Sequence, residues 1–574
     1  MECQICGHFC QISEGKTGKC RMQTCANGIL HERFADKYLA LWPSAIETVP
    51  FLHYTPGGRY LLLSTLGCNL SCPGCVSHML VDDPDLIAGA LLKADPDEIL
   101  NQVRDHSCLG VIFCLNEPSV SFHTLINTAK TLKKEGLLVG CASNGCMESP
   151  VLRQILPYLD MVNIGMKGLS DDVYRTCGSP CGVKQVLDNI KIIHDTRIHL
   201  EVSVVFEARR EHEITNLARH LSYLSAEIPL HIMRFIPFNG ADNDCEPAPD
   251  DAEKLVTQCK TWLNWVYLFN TPGTYNLSSY CPDCKTLLIE RTFYGPMGAR
   301  LTNRIYQSEC TCGRTIPVFG EYYRNDGYEP RFRGGYRTSV LLDMVSGTLN
   351  QLGIYDKKVV SRVLVQILSG DWLEKLQTFF ATPEGYIEYI RTLGQFADTQ
   401  DLVHPLLGFY TERLEQITKF VTNLRHPRVF CALSHPYLAS YPDKMEVALA
   451  ARAGGDVLNY QISYTESRPH PLSREEFMAL QPEIILCLGM GISDTSDFLH
   501  HCHIEGLLAP AIETEQVYCI PKKYPVSGIR WILALEYFAN LLHPEIIRFS
   551  LEEDEKYLNT LLNDIQTNQT NTRI

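Results

Sequence analysis

Between residues 58 and 270, short apolar runs alternate with stretches whose apolar positions fall three and four residues apart. The runs are YLLLSTL (60–66), GVIFCL (110–115), LLVGCA (137–142), MVNIGM (161–166), HLEVSVV (199–205) and LHIMRF (230–235). Each is short and made largely of β-branched or other apolar residues, which predicts a buried strand. The intervening segments, such as HTLINTAKTLKKEG and VKQVLDNIKIIHD, have the spacing of amphipathic helices. Repeated strand–helix units predict an α/β fold around a parallel sheet, and this many units favour a partial barrel over an open sheet.

The pattern changes on both sides of that region. Residues 1–57 and 271–320 are cysteine-rich, and 321–337 (EYYRNDGYEPRFRGGYR) read as a linker. Residues 338–427 have helical spacing throughout. Strands return at RVFCAL, EIILCLG and QVYCIP, so 428–545 predict a second α/β lobe, closed by the helix GIRWILALEYFANLL. The remainder, 546–574, is a C-terminal tail whose polar end, NDIQTNQTNTRI (563–574), is expected to fray.

Composition adds one fact to this picture. Of 24 cysteines, all but Cys431, Cys487, Cys502 and Cys519 lie at or before Cys312. No basic segment followed by an apolar run opens the chain, and no apolar run is long enough to span a membrane. The expected location is therefore cytoplasmic, in an oxygen-poor setting, with thiols serving as metal ligands rather than disulfides. A net charge of −15 argues against a nucleic-acid partner.

Three of the thiols, Cys68, Cys72 and Cys75, follow the first strand in TLGCNLSCPGC. Three thiolates leave a metal centre with an open position, and a strand end of a barrel is where ligands bind. A zinc site lacking one ligand, or three buried thiols, is the plainer alternative. Asn116, Glu117 and Pro118 then follow the second strand, Ser143, Asn144 and Gly145 the third, and Lys167 the fourth.

Cys-x3-Cys-x2-Cys in this setting resembles the signature of radical SAM enzymes. That resemblance implies a partial (β/α)6 TIM-like barrel and a [4Fe–4S] cluster whose open iron binds S-adenosylmethionine (SAM). It implies an electron from the reduced cluster, delivered by a flavodoxin- or ferredoxin-type donor. Reductive cleavage of SAM then gives a 5′-deoxyadenosyl radical that abstracts hydrogen from substrate. Asn116–Pro118 resemble the family's Gly-Gly-Glu-Pro segment, Ser143–Gly145 its Thr-Asn-Gly turn and Lys167 its Asp-Leu-Lys segment. Arg234, on the sixth strand with His231, is a candidate partner for a carboxylate of SAM or substrate; a salt bridge on the barrel rim is the alternative. Cys177 and Cys181 read as part of a turn.

Two flanking clusters narrow the resemblance to the AmmeMemoRadiSam group, which is pyruvate formate-lyase activating enzyme-like. They are Cys3, Cys6, Cys10 and Cys20, with His8 among them, and Cys281, Cys284, Cys310 and Cys312. The first spacing suits either structural zinc or an auxiliary Fe–S cluster. The second, opening on a Cys-Pro-x-Cys knuckle, suits zinc or a rubredoxin-like iron. Ala142 and Gly165 stand where activating enzymes carry cation-binding carboxylates, which weakens a glycyl-radical activase that modifies a partner protein.

In the rear, a helix ending in Ala-Gly-Gly, the Ser473/Glu476 capping pair and LQPEIILCLG resemble a lobe of periplasmic binding proteins for siderophores, haem and cobalamin. The expectation is an oxidoreductase or transferase whose rear lobe holds a small molecule or metal chelate, with His435, Pro436 and Tyr437 in its cleft. A non-catalytic Fe–S or metal-chelate carrier is the third reading.

Overall fold

In the computed structural model, all six apolar runs form parallel strands: Arg59–Ser64, Gly110–Phe113, Leu138–Ser143, Met161–Met166, His199–Phe206 and Leu230–Arg234. The structure describes residues 1–304, 309–323, 335–370, 372–433, 435–462, 472–488 and 495–571. The expected linker, 321–337, falls largely outside the described residues. The chain divides into two units, Met1–Asp343 and Met344–Ile574.

In the first unit the six strands lie side by side in chain order. Two further strands extend the sheet. Val266–Phe269 adds a seventh parallel strand at one edge, and Ala40–Ala45 pairs antiparallel with Arg59–Ser64 at the other. The cysteine-rich lead-in therefore supplies part of the main sheet. Its ALWPSA run contains Pro43, a residue tolerated on an edge strand, where one backbone N–H is not needed. The order is linear among the described residues, as in a partial barrel.

The helices between the strands bury one apolar stripe each. Pro96–Asp105 buries Ile99, Leu100 and Val103, and starts at a capping box between Asp95 and Glu98. Val183–His194 buries Val186, Ile190 and Ile193. These stripes join Leu61, Leu63, Val111, Val139, Val162 and Val202 in one core.

The barrel interior also contains a charge. Glu201 is fully buried and accepts hydrogen bonds from His199, from His231 and from the backbone N–H groups of Leu52 and His53. Burial alone would raise its pKa, but the bonds from His199 and His231 hold it well below the usual carboxylate range. His231 is thus an interior partner of Glu201.

The second unit opens inside the helix Arg337–Gln351 and continues with Lys357–Ser369, Trp372–Ala381, Pro383–Phe396 and Gln400–Val421. A parallel sheet follows, in the order Asp456–Val457, Arg428–Ala432, Ile484–Cys487, Val517–Cys519. The Ser473/Glu476 capping box forms, and Gly454, at φ +90, ends the preceding helix.

The polar end of the tail departs from expectation over 563–571. Leu551–Asn571 is a helix that buries Leu558, Leu561, Leu562 and Ile565. These four apolar residues recur at helical spacing and outweigh the polar residues between them. Arg413 pairs with both Asp554 and Glu536 beside it. Among the described residues no helix is long and apolar enough to cross a membrane.

Leu558 is completely buried, so Leu558→Ala should cost about 2–5 kcal/mol in the second unit. Denaturant unfolding followed by far-UV dichroism should show a lower midpoint. An unchanged midpoint would mean that the last helix is only an appendage.

Candidate functional site

The strand ends of the first unit surround a cavity of about 460 Å³. Cys68, Cys72 and Cys75 line it, as do Asn116, Glu117, Ser143, Asn144, Lys167 and Arg234. Pro118 and Gly145 do not; each shapes a turn behind the wall. Pro118 starts the short 3-10 turn Pro118–Ser121, and Gly145 takes a left-handed conformation at φ +73.

The side chains expected at the site brace one another. Asn116 donates from Nδ2 to the carbonyls of Leu66 and Gly67 at 2.9 and 3.0 Å, fixing the entry to the cysteine loop. Glu117 is 2% exposed. It accepts from Ser119 N at 3.0 Å, Ser143 Oγ at 2.9 Å and Asn144 N at 2.7 Å. The carboxylate after the second strand thus clamps the turn after the third. Asn144 donates from Nδ2 to Asn69 Oδ1 at 2.8 Å and lies 3.6 Å from Cys68 Sγ.

Asn69 was not among the sequence candidates. It is 1% exposed, adjoins Cys68, accepts from Asn144 and donates to the Cys146 carbonyl at 3.0 Å. Its position inside the CNLSC run was the available signal. Tyr336, Glu207 and Arg210 also line the cavity and were likewise missed, because no motif marks them. Cys177, read as a turn residue, lines the cavity beside Cys72, whereas Cys181 lies behind the wall with Cys146 and Ser179.

Lys167 is half-buried beside the cysteines. Burial alone would lower its pKa, but Cys72, Cys177, Cys68 and Cys75 raise it above the ordinary lysine value. Arg234 is fully buried. Its Nη1 pairs with Glu246 at 2.7 Å and its Nε donates to the Asn270 carbonyl at 3.1 Å. Its Nη2 has no hydrogen-bond partner among the described residues. The rim salt bridge exists, and one donor is left over.

Comparison with known proteins now bears on this geometry. The profile of the radical SAM superfamily matches residues 62–221. The chain carries a radical SAM domain. That domain implies an iron–sulfur cluster and SAM as cofactors. The residues present fit such a cluster: three thiols face one cavity, and Leu70 N–H donates to Cys68 Sγ at 3.3 Å, as sulfur ligands of clusters accept.

A relative of the chain, a Methanocaldococcus jannaschii protein named only as uncharacterized, is 28% identical over 327 residues, covering 55% of this chain and 95% of that protein. Among solved structures, an ABC transporter solute binding protein from Sulfurospirillum deleyianum matches 31% of this chain at 19% identity and a TM-score of 0.27. A periplasmic solute binding protein from Veillonella parvula matches 32% at 19% identity and a TM-score of 0.28. The chain spans 57% and 58% of those two proteins.

Outside the radical SAM domain's cavity, Cys281, Cys284, Cys310 and Cys312 bring their sulfurs within 4.8 Å of one another. A tetrahedral ion with bonds of about 2.3 Å needs sulfurs about 3.8 Å apart. The Cys-x-Cys spacing of the second pair therefore does not prevent closure. Ile289, Leu277 and Ile316 pack beneath the buried pair, Cys281 and Cys310. One mononuclear ion per chain is expected here. Elemental analysis of Cys281→Ser should show the loss of one zinc or iron with no change in labile sulfide; a wild-type level of both metals would exclude the site.

Proposed function

We propose that the first unit cleaves SAM reductively and that the resulting radical acts on a small molecule or metal chelate held by the second unit. The observation that carries the first half is the joining of Cys68, Cys72 and Cys75 in one cavity with Glu117, Asn144 and Lys167. A non-catalytic carrier would have no use for that wall. When bound, the cluster supplies one electron to the sulfonium of SAM, giving the 5′-deoxyadenosyl radical.

The chain's own residues bind and orient. Cys68, Cys72 and Cys75 ligate the cluster and leave one iron for the amino and carboxylate groups of SAM. Glu117 fixes Ser143 and Asn144 at the cavity wall, where its carboxylate would accept from the amino N–H of SAM. Arg234 offers Nη2, and Lys167 its ammonium, to a carboxylate; a buried cation binds such a group strongly because water does not compete. A flavodoxin- or ferredoxin-type protein is the proposed electron donor. Within radical SAM enzymes we assign the chain to the AmmeMemoRadiSam group on its two flanking cysteine sets. Ala142 and Gly165 both line the cavity, so the carboxylate pair of a glycyl-radical activase is missing from the place where it would act.

In the second unit, ligands of an open parallel sheet bind outside the carboxyl ends of the strands. His435 and Tyr437 follow Arg428–Ala432 there. The His435 ring lies 5.4 Å from that of His501, and Tyr437 Oη donates to Glu505 at 3.3 Å. Imidazole, phenol and carboxylate at one strand end form a donor set suited to a transition-metal chelate.

Anaerobically reconstituted protein, given dithionite and SAM, should form 5′-deoxyadenosine, and Cys72→Ala should form none. Formation by Cys72→Ala at the wild-type rate would refute the assignment. Glu117→Ala should retain its cluster and bind SAM roughly tenfold more weakly or worse, since a lost polar contact costs about 1–3 kcal/mol; equilibrium dialysis measures this.

For the second unit, haem or Ni(II) titrated into the full chain should bind with an affinity that the double variant His435→Ala/His501→Ala lowers tenfold or more. Equal affinity in the two proteins would remove the chelate from the proposal.

A further inference from the structure

The segment that precedes the helix Val183–His194 reads TCGSPCG (176–182), and each of its cysteines sits against a thiol from elsewhere in the chain. Cys177 lines the cavity beside Cys72, a residue the cluster claims. Cys181 lies behind the cavity wall and meets Cys146, which follows Gly145 in the turn after the third strand. This second pair belongs to none of the metal sets. Cys3, Cys6, Cys10 and Cys20 line a separate void of about 10 Å³, and the knuckle is made by Cys281, Cys284, Cys310 and Cys312.

Two ordered turns hold the pair together. The Cys146 thiol donates to Cys181. Ser179 Oγ stands 3.5 Å from Cys146 Sγ and 3.4 Å from Cys181 Sγ, and donates to the Cys181 carbonyl at 2.8 Å. Ser179 N–H donates to the Tyr174 carbonyl at 2.9 Å, which fixes this turn to the helix Asp171–Thr176. On the other side, Cys146 N–H donates to Asn144 Oδ1 at 2.8 Å, and the Cys146 carbonyl accepts from Asn69 Nδ2 at 3.0 Å.

The two thiols differ as an attacking thiol and a resolving thiol must. Cys146 is 1% exposed, whereas Cys181 is half-buried. Their shared hydrogen bond draws the Cys181 thiol below the ordinary value and, together with burial, pushes Cys146 far above it. Cys181 therefore offers a thiolate where a small electrophile can reach it. Cys146 stands behind it with its proton still on.

We propose that Cys146 and Cys181 are a redox-active dithiol, which a low-molecular-weight disulfide oxidises to a disulfide, and that the oxidised protein binds SAM more weakly. The second half rests on the SAM-cleavage reading; the first does not. The Cys181 thiolate attacks one sulfur of the oxidant, whose S–S bond breaks and releases one thiolate. Cys146 gives up its proton and attacks the Cys181 sulfur of the mixed disulfide, expelling the second thiolate. The protein loses two electrons and two protons, and the oxidant takes them up as two thiols. A covalent S–S bond is far shorter than a contact between thiols, so closure pulls on Cys146. Asn144 bonds the Cys146 N–H, donates its own N–H to Glu117 and reaches Asn69 beside Cys68. The pull is thus delivered to the wall assigned to SAM.

Trypsin leaves Cys146 in residues 135–153 and Cys181 in residues 176–184. Full-length protein, reconstituted anaerobically, is incubated with glutathione disulfide, alkylated and digested. Mass spectrometry should show a cross-link between those two peptides. It should revert with dithiothreitol, disappear in Cys181→Ser and persist in Cys177→Ser. Full alkylation of Cys146 and Cys181 in wild type, glutathione left on Cys181, or a link that needs Cys177 instead, overturns the dithiol. In equilibrium dialysis, oxidised wild type should bind SAM tenfold or more weakly than reduced wild type, and Cys181→Ser should bind it equally before and after the oxidant. Equal affinity of the two wild-type forms, or the same fall in Cys181→Ser, overturns the effect on SAM while leaving the disulfide standing. Reduced wild type that binds no SAM would instead refute the SAM reading, with the peptide result unaffected.

Discussion

A carboxylate as buried as Glu117 must find donors or lose its charge, and the first unit is organised around that need. Unpaired, it would cost several kcal/mol. Its donors are Ser119 N, Ser143 Oγ and Asn144 N, which belong to the ends of two neighbouring strands. Asn116, one residue earlier, holds the carbonyls of Leu66 and Gly67 at the end of a third. Two consecutive polar residues therefore fix three strand ends relative to one another. Asn144 then reaches Asn69, and Asn69 reaches Cys146 and His8. The cysteine loop is held by this polar chain, so it stays shaped although its thiols face a cavity instead of a core. An organising network of this kind is built before any ligand arrives, which lowers the ordering cost of binding.

The barrel strands were legible because each is short, apolar and bounded by polar helix starts. Their ends were legible because chemistry-bearing residues recur there in order. Ala40–Ala45 escaped because its pattern, ALWPSA, is broken by a proline that only an edge strand accepts. Val266–Phe269 fell at the close of the expected barrel region and carries no motif. The last helix was misjudged because asparagine, glutamine and threonine crowd its end, and helical spacing over Leu558, Leu561, Leu562 and Ile565 counts for more than average polarity. At the site, side chains fixed by local motifs could be read, whereas Tyr336, Glu207 and Arg210 depend on where distant segments fold. Asn116 and Glu117 were expected to touch a ligand; the structure shows that they also bind the scaffold to itself.

Three cysteine sets in one unit can be told apart by geometry rather than by count. The Cys281 set is drawn together tightly enough for one ion and lies at the end of a small antiparallel sheet, Ser279–Tyr280, Leu287–Phe293 and Ala299–Arg304. The Cys68 set is open to a large cavity. The N-terminal set encloses its own small void and is pressed against the Cys68 loop. Cys108, Cys114, Cys141 and Cys259 are simply buried among apolar neighbours, and burial raises their thiol pKa values above the ordinary range.

The charges around the cavity bear on what it binds. Lys167 and Arg234 stand on one side of the ledger and Glu117 and Glu207 on the other, with Arg210 already engaged by Glu213 at 2.8 Å. A wall of this kind complements a zwitterion, with an ammonium toward the carboxylates and a carboxylate toward the cations. SAM has that charge pattern at its methionine end. A methyl group on Gly165 would lie 3.9 Å from Lys167 Nζ, so a carboxylate at position 165 would reach the lysine and neutralise it. Gly165 therefore places no carboxylate beside Lys167.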